Sequence, residues 1–561
     1  MKMTTLALSL MAALPAAQAY EPDAKAASAT VSTDVHQTML PAVSERDTNA
    51  KMEVRGFRVK GVAEHPQQRI TAASVQAIAD AHFAQLAAGE SSVALDFAQL
   101  QAAADVITTA YRQAGFLVSV AFLPVQTVAA DRIIEIQVME GRIGKVIVQG
   151  NQRYQERTLS DSAERMRGLP LRRSDIDSAL LYARDLPGVS VSSVLQPGEN
   201  EGETDLVLVA SEAARGWAVN LSVDNFGTET SGRGRVQAGL VWNNPLGRGD
   251  VFAISGNWQF SPTSSRNGAF SYSMPIRGVS GLSVLAGANQ SELEVNTGPM
   301  AVLAIKGPAS QRYLGSDWKF LNTVPLQMTA SARLVRESSR FEAIGMALSN
   351  HRYDVAELGI GLRQNDTRWR GVNLAQLSVR RSLRDNSAAL DVVNPYRDSQ
   401  FTVARLGLMR MQYLTRDQRL VAKFNGQYTR NGLPAMEQFQ LGGYDSIRGY
   451  SQGETLGDRG YLLGLEYQVD APGFADRMSP FQGLVWRELL TFDVFADHGR
   501  VADATGHLAP TRLSSAGAGV TFRLPRFHGM EVRLAGALPT SSADASDGRD
   551  ARAYARLSMN F

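Results

Sequence analysis

The residues best placed to do chemistry lie between Glu437 and Tyr450, in the run EQFQLGGYDSIRGY. Gly442 and Gly443 permit positive φ or a close backbone approach. Arg448 follows Ile447 and stands beside Gly449, where its planar guanidinium is sterically free. Such an arginine is suited to gripping a carboxylate through two parallel N–H···O bonds, which is a chemistry of binding rather than of bond breaking. A carboxylate of the right kind occurs downstream in Phe495-Ala-Asp497-His-Gly499. Strand alternation puts Phe495, Asp497 and Gly499 on one face and His498 on the other, so His498 and Asp497 do not read as an acid–base pair. The spacings of a phosphate-binding loop and of a His-Glu-x-x-His zinc site are absent, and no Gly-x-Ser-x-Gly element of a serine nucleophile is expected. Cysteine is also absent, which excludes disulfides and thiolate metal sites. No catalytic residue, metal or cofactor is expected.

A loop and a wall that face each other need a frame to position them. From Trp217 to the last residue the chain alternates: Trp217, Val219, Leu221 and Val223 oppose Asn220, Ser222 and Asp224. At the other end Ala553, Ala555, Leu557, Met559 and Phe561 oppose Arg552, Tyr554, Arg556, Ser558 and Asn560. An apolar outside and an arginine-bearing inside suit a closed barrel in lipid with a wet lumen. No apolar run is long enough for a transmembrane helix, so a spanning segment must be a closed sheet. At roughly 22 residues per strand plus connection, about sixteen antiparallel strands are expected over residues 216–561. Asn244–Asp250 and Pro525–Gly529 read as tight turns, whereas residues 431–458 form a long loop.

Ahead of the barrel the period changes from two residues to that of helices. Residues 54–141 predict one small α+β domain. Phe57 and Val59 lie on a strand, a helix covers Ala72 to Ala87, and Asp96 caps a second helix whose stripe is Phe97, Leu100, Ala104, Ile107 and Tyr111. Strands follow at Leu117–Leu123 and Arg132–Val138. The order recurs over residues 142–212, with helices from Glu156 and Arg173 and strands at Val189–Leu195 and Thr204–Ala210. Residues 1–19 read as a signal peptide, since Lys2 precedes a short apolar run that ends in Ala17-Gln-Ala19. Residues 20–53 read as a linker or a weak plug helix. The charge is nearly balanced, at +2 with 20% charged residues, so nothing points to nucleic acid.

The loop and wall motifs, Phe-x-Leu-Gly-Gly-x-x-Ser-Ile-Arg-Gly-Tyr and Phe-x-Asp-x-Gly, resemble those of the outer-membrane transporters of two-partner secretion. The paired α+β domains resemble POTRA domains, the periplasmic polypeptide-binding modules of the same superfamily. The resemblance implies tandem POTRA domains followed by a transmembrane β-barrel, a loop folded back into the pore, and Arg448 reaching Asp497 there. It implies that Gly442, Gly443, Ile447, Arg448, Gly449 and Tyr450 serve gating and secretion, with Phe495, Asp497 and Gly499 as their partners on the barrel wall. Phe561 resembles the terminal aromatic read by the barrel-assembly machinery; it is equally a last lipid-facing residue. The implied partners are a large secreted β-helical exoprotein (an adhesin, haemolysin or contact-dependent toxin) and outer-membrane lipid, with the transporter a monomer in the outer membrane. A barrel-assembly insertase and a passive porin are the alternatives.

Overall fold

The computed structural model describes residues 51–561 apart from 229–230, 262–263, 296–302, 386–389, 393, 395, 399, 482 and 542–544. Residues 1–19, read above as a signal peptide, and nearly all of residues 20–53, read as a linker or weak plug helix, lie outside the described residues. The chain divides after Ala213 into two compact units.

The first unit holds both α+β domains. In the first domain Gly56–Lys60 runs parallel to Ile133–Met139, which pairs antiparallel with Val120–Phe122. Helices Ala72–Ala87 and Phe97–Gln113 cover this sheet. Each begins at a reciprocal cap: Asp96 Oδ1 accepts from Gln99 N at 2.9 Å while Asp96 N donates to Gln99 Oε1 at 3.1 Å. The caps satisfy amides that the first helical turn leaves orphaned. Leu100, Ala104, Ile107 and Tyr111 are buried against Phe57, Ile134 and Ile136, but Phe97 is 47% exposed. Helical periodicity sets the direction of a side chain and not whether anything covers it at that level, so the stripe overreached by one turn. The strand expected from Leu117 is confined to Val120–Phe122, and a short pairing of Met52–Val54 with Val93–Leu95 was not expected.

The second domain repeats the plan. Arg142–Gln149 is parallel to Glu203–Glu212, which pairs antiparallel with Val189–Pro197, and helices Glu156–Glu164 and Arg173–Arg184 pack on the sheet. Backbone hydrogen bonds tie the two domains together: Leu117 N to Leu171 O, Leu171 N to Gly141 O and Arg173 N to Gly115 O, at 3.0–3.2 Å. Glu212 anchors the turn after Arg142–Gln149, accepting from the amides of Gln152, Arg153 and Tyr154 at 2.8–3.0 Å. Burial pushes its carboxyl up, but these N–H donors and the Arg153 guanidinium outweigh burial and hold it below the usual carboxylate range.

The second unit is a closed antiparallel barrel whose first strand, Trp217–Asp224, pairs with its last, Arg552–Asn560. Two of the segments in the ring are two-residue stubs, Ile305–Lys306 and Leu390–Asp391, which leaves sixteen full strands. Trp217, Leu221, Val223, Leu557 and Phe561 are exposed on the outer face, while Ser222, Asp224 and Tyr554 are buried inside. Antiparallel partners share a face, so register carries the lumen side around the ring. Asp497 lies opposite Gly464 and Ser515, Arg556 opposite Arg533 and Asp224, and Asp224 opposite Arg235. Phe561 exchanges two backbone hydrogen bonds with Val219 at 2.8 and 3.0 Å, so the last residue closes the ring.

Candidate functional site

Residues between the strands Gln418–Thr429 and Arg459–Asp470 form one connection that folds inward, because its side chains meet lumen-facing residues of many strands. Its stem is a small hairpin, Phe439–Leu441 against Thr455–Gly457. Gly442, Gly443 and Gly449 take φ of 98°, 105° and 93°, the left-handed region that penalises a Cβ. The tip can therefore turn tightly enough to present Arg448 sideways to the wall.

Arg448 is held by three kinds of contact. Its Nε and Nη2 donate to Asp497 Oδ2 and Oδ1 at 2.7 and 2.8 Å, and its own backbone N–H reaches Oδ2 at 3.2 Å. Its Nη1 donates to Glu466 Oε2 on the neighbouring strand at 2.8 Å. The guanidinium carbon lies 3.3 Å from the centre of the Phe495 ring, so the cation is sandwiched between carboxylates and an aromatic face. Gly499 lets the loop come close: a Cβ there would sit 2.8–2.9 Å from Tyr461 O and from the side chains of Ile447 and Leu441. Ile447 and Tyr450 are fully buried in an apolar cluster with Leu441, Leu462, Val501 and Leu513. The structure thus brings Ile447, Arg448 and Tyr450 together with Phe495, Asp497 and Gly499, while Phe561 lies apart on the outer face. His498 faces away from Asp497 and bonds Ser514 Oγ at 2.8 Å.

Several participants carry no signal in the local sequence. Glu466 is one. Tyr554 accepts the Gly449 N–H at 2.8 Å, and Tyr444 stacks on Phe226 at 3.9 Å between ring centres while bonding Arg533. The largest is a second ionic cluster at the foot of the loop, around Glu437. Glu437 is buried and receives Arg380 through Nε at 3.1 Å and Nη2 at 2.7 Å, and Arg405 Nη2 at 2.7 Å. Arg380 also binds Glu337 at 2.7 Å and Glu357 at 2.5 Å. The loop is held at its tip by a cation in an anionic wall and at its foot by an anion in a cationic wall.

The tip also carries the Gly-x-Ser-x-Gly spacing of serine nucleophiles at Gly449-Tyr-Ser451-Gln-Gly453, contrary to the expectation of no such element. That motif works on a sharp strand-to-helix turn with a histidine at hand. Here it lies in a loop with no following helix, and Ser451 Oγ accepts from Arg552 at 3.0 Å.

Comparison with known proteins gives matches along most of the chain. Residues 202–522 match the family model for haemolysin secretion/activation proteins of the ShlB/FhaC/HecB type, and residues 65–141 match the ShlB-type POTRA domain. The haemolysin transporter ShlB of Serratia marcescens is 27% identical over 337 residues, 58% of this chain and 59% of that protein, so the aligned stretch spans less than two thirds of its length. The heme/hemopexin transporter HuxB of Haemophilus influenzae is 23% identical over 451 residues, 77% of this chain and 76% of that one. The solved structure of CdiB from Escherichia coli is similar in fold, with a TM-score of 0.68 at 20% identity over 93% of both chains. With its family model matched over more than half its length and its fold complete from POTRA sheet to closed barrel, the chain belongs to the haemolysin secretion/activation family of transporters.

Proposed function

We propose that this protein sits in the outer membrane, takes up an unfolded exoprotein at its periplasmic POTRA domains, and conducts it through the barrel to the cell surface without ATP. The single observation that carries this reading is a polar barrel whose lumen holds a loop by ion pairs at both ends. A structural plug needs only apolar packing; a part that must leave and return is better held by charge, because ionic contacts fix position while water can replace them when the loop departs. The exposed edge strand Val189–Pro197 supports a reception role, since an extended chain can add to it through backbone hydrogen bonds. With no nucleotide-binding loop in the sequence, the free energy of transport comes from the exoprotein folding outside, which prevents its return. The closed ring offers no free strand edge for oligomerisation, which supports a monomer.

The test is to delete the gene and follow a large β-helical protein encoded beside it. Loss of that protein from the surface, restored by the intact gene, is the expected result. Undiminished secretion together with a general failure to assemble other barrels would instead favour an insertase.

A further inference from the structure

The inner wall of the barrel has two chemically different sides. On the first five strands, from Trp217–Asp224 to Leu282–Val295, the lumen-facing charges among the described residues are Asp224 and Arg235, and these bind each other at 2.6 and 3.0 Å. The remaining inward positions are small, aliphatic, or hydroxyl and amide side chains, among them Asn220, Ser255, Asn257, Asn267, Ser271 and Asn289. Every later full strand contributes an inward charge, beginning with Asp317 and Arg333, and it is this charged side that holds the loop at Glu437 and Arg448.

We propose that the hydroxyl and amide side is the track along which the transported polypeptide slides, its ligand being an extended backbone of any sequence. This rests on the transport reading above. Amide and hydroxyl groups both donate and accept, so they match the N–H and C=O groups of an unfolded chain whatever its side chains. They also carry no net charge. A fixed cation or anion in a confined lumen would arrest each oppositely charged residue that passed, whereas these groups exchange partners with water and backbone alike. Ser255 is exposed, Asn257 and Ser271 are half-buried, and the buried Oδ1 of Asn257 has no hydrogen-bond partner. Asn267 and Asn289, also half-buried, bond each other, Nδ2 to Oδ1 at 2.9 Å, a contact that a passing backbone can exchange. Asn257, Asn267 and Ser291 line a cavity of about 40 Å³ that the loop's Gln452 also borders, with Arg266 and Glu292 at its edge, so loop and track meet across a small gap.

The test uses the full-length protein in planar bilayers, with an unstructured peptide rich in Gly, Ser and Asn and carrying a few glutamates as the probe. The variant Asn257→Lys/Ser271→Lys/Asn289→Lys is compared with Asn425→Lys, an inward and exposed position on the charged side. The triple variant should lengthen peptide dwell times by about tenfold or more. Asn425→Lys should leave them within about twofold, and a charge-free version of the peptide should pass both variants as it passes the parent. If the triple variant does not assemble into a heat-modifiable barrel, Asn289→Lys alone is used with the same expectation. Equal dwell in parent and track variants, or lengthening by Asn425→Lys alone, overturns the track. A parent protein that the peptide never blocks overturns the transport reading itself, and the track with it.

Discussion

At the scale of single residues, the two ionic clusters make separable demands. Removing one partner of a buried, hydrogen-bonded pair costs about 3–5 kcal/mol because the other charge is left stranded. Arg448→Ala and Asp497→Ala should therefore each undock the tip, cutting secretion and raising channel noise, and the double variant should be little worse than either single one. A double-mutant cycle on single-channel conductance measures this coupling. Arg448→Lys should restore function only in part, because an ammonium cannot span both Asp497 oxygens and Glu466 while lying flat on Phe495. Glu437→Gln should loosen the foot of the loop, because Arg405 loses its carboxylate partner and Arg380 keeps only the wall carboxylates Glu337 and Glu357. Because the clusters share no residue, its effect on conductance noise should add to that of Arg448→Ala. A combined variant no worse than one single would show that tip and foot release together.

At the scale of elements, the two α+β domains depend on small polar devices as much as on their cores. Glu212 holds the turn after Arg142–Gln149 through backbone amides, and its carboxyl is depressed in the folded protein. A depressed carboxylate contributes stability that is complete above its unfolded pKa and is lost as pH falls through the folded one. Glu212→Gln should thus lower the melting temperature of this unit at pH 7, and the gap from the parent should close as pH falls below the ordinary carboxylate range. Calorimetry across that range checks it; a gap independent of pH would mean that Glu212 acts by shape alone. On the barrel, Leu221 is exposed on the outer face, so Leu221→Arg should cost about 2–4 kcal/mol if it lies near the bilayer midplane. The readout is loss of the heat-modifiable band in gels.

At the scale of the whole molecule, the units are built by different rules and should come apart cleanly. The two α+β domains share backbone hydrogen bonds at Gly115, Gly141, Leu117 and Leu171, so removing only the first would expose polar groups of the second. Deleting residues 54–213 as one piece should leave a folded barrel with unchanged heat modifiability and abolish secretion. Secretion that persists at the parent level would place exoprotein recognition in the barrel.

Much of this architecture was legible in the sequence, because the pleat and the helical turn impose short periods. The helix Ala72–Ala87, the Asp96 cap, the alternation of Trp217 to Asp224 and the sixteen strands all follow from neighbours within a few residues of one another. The same locality explains the misreadings. Periodicity pointed Phe97 toward a core that does not extend to it, and an apolar run at Leu117 to Leu123 exceeded the strand that the sheet accepts. What only the tertiary structure decided is which charge meets which. Alternation places Glu437, Arg380 and Glu466 no better than any other polar residue, because their partners are set by closure of the ring and by how far the loop descends. Glu437 meets Arg380 across 57 residues of sequence, and Arg448 meets Asp497 across 49. A sequence specifies the face of each strand through short-range sterics. The pairing of charges inside the lumen is a long-range outcome of register, and it exists only once the barrel has closed.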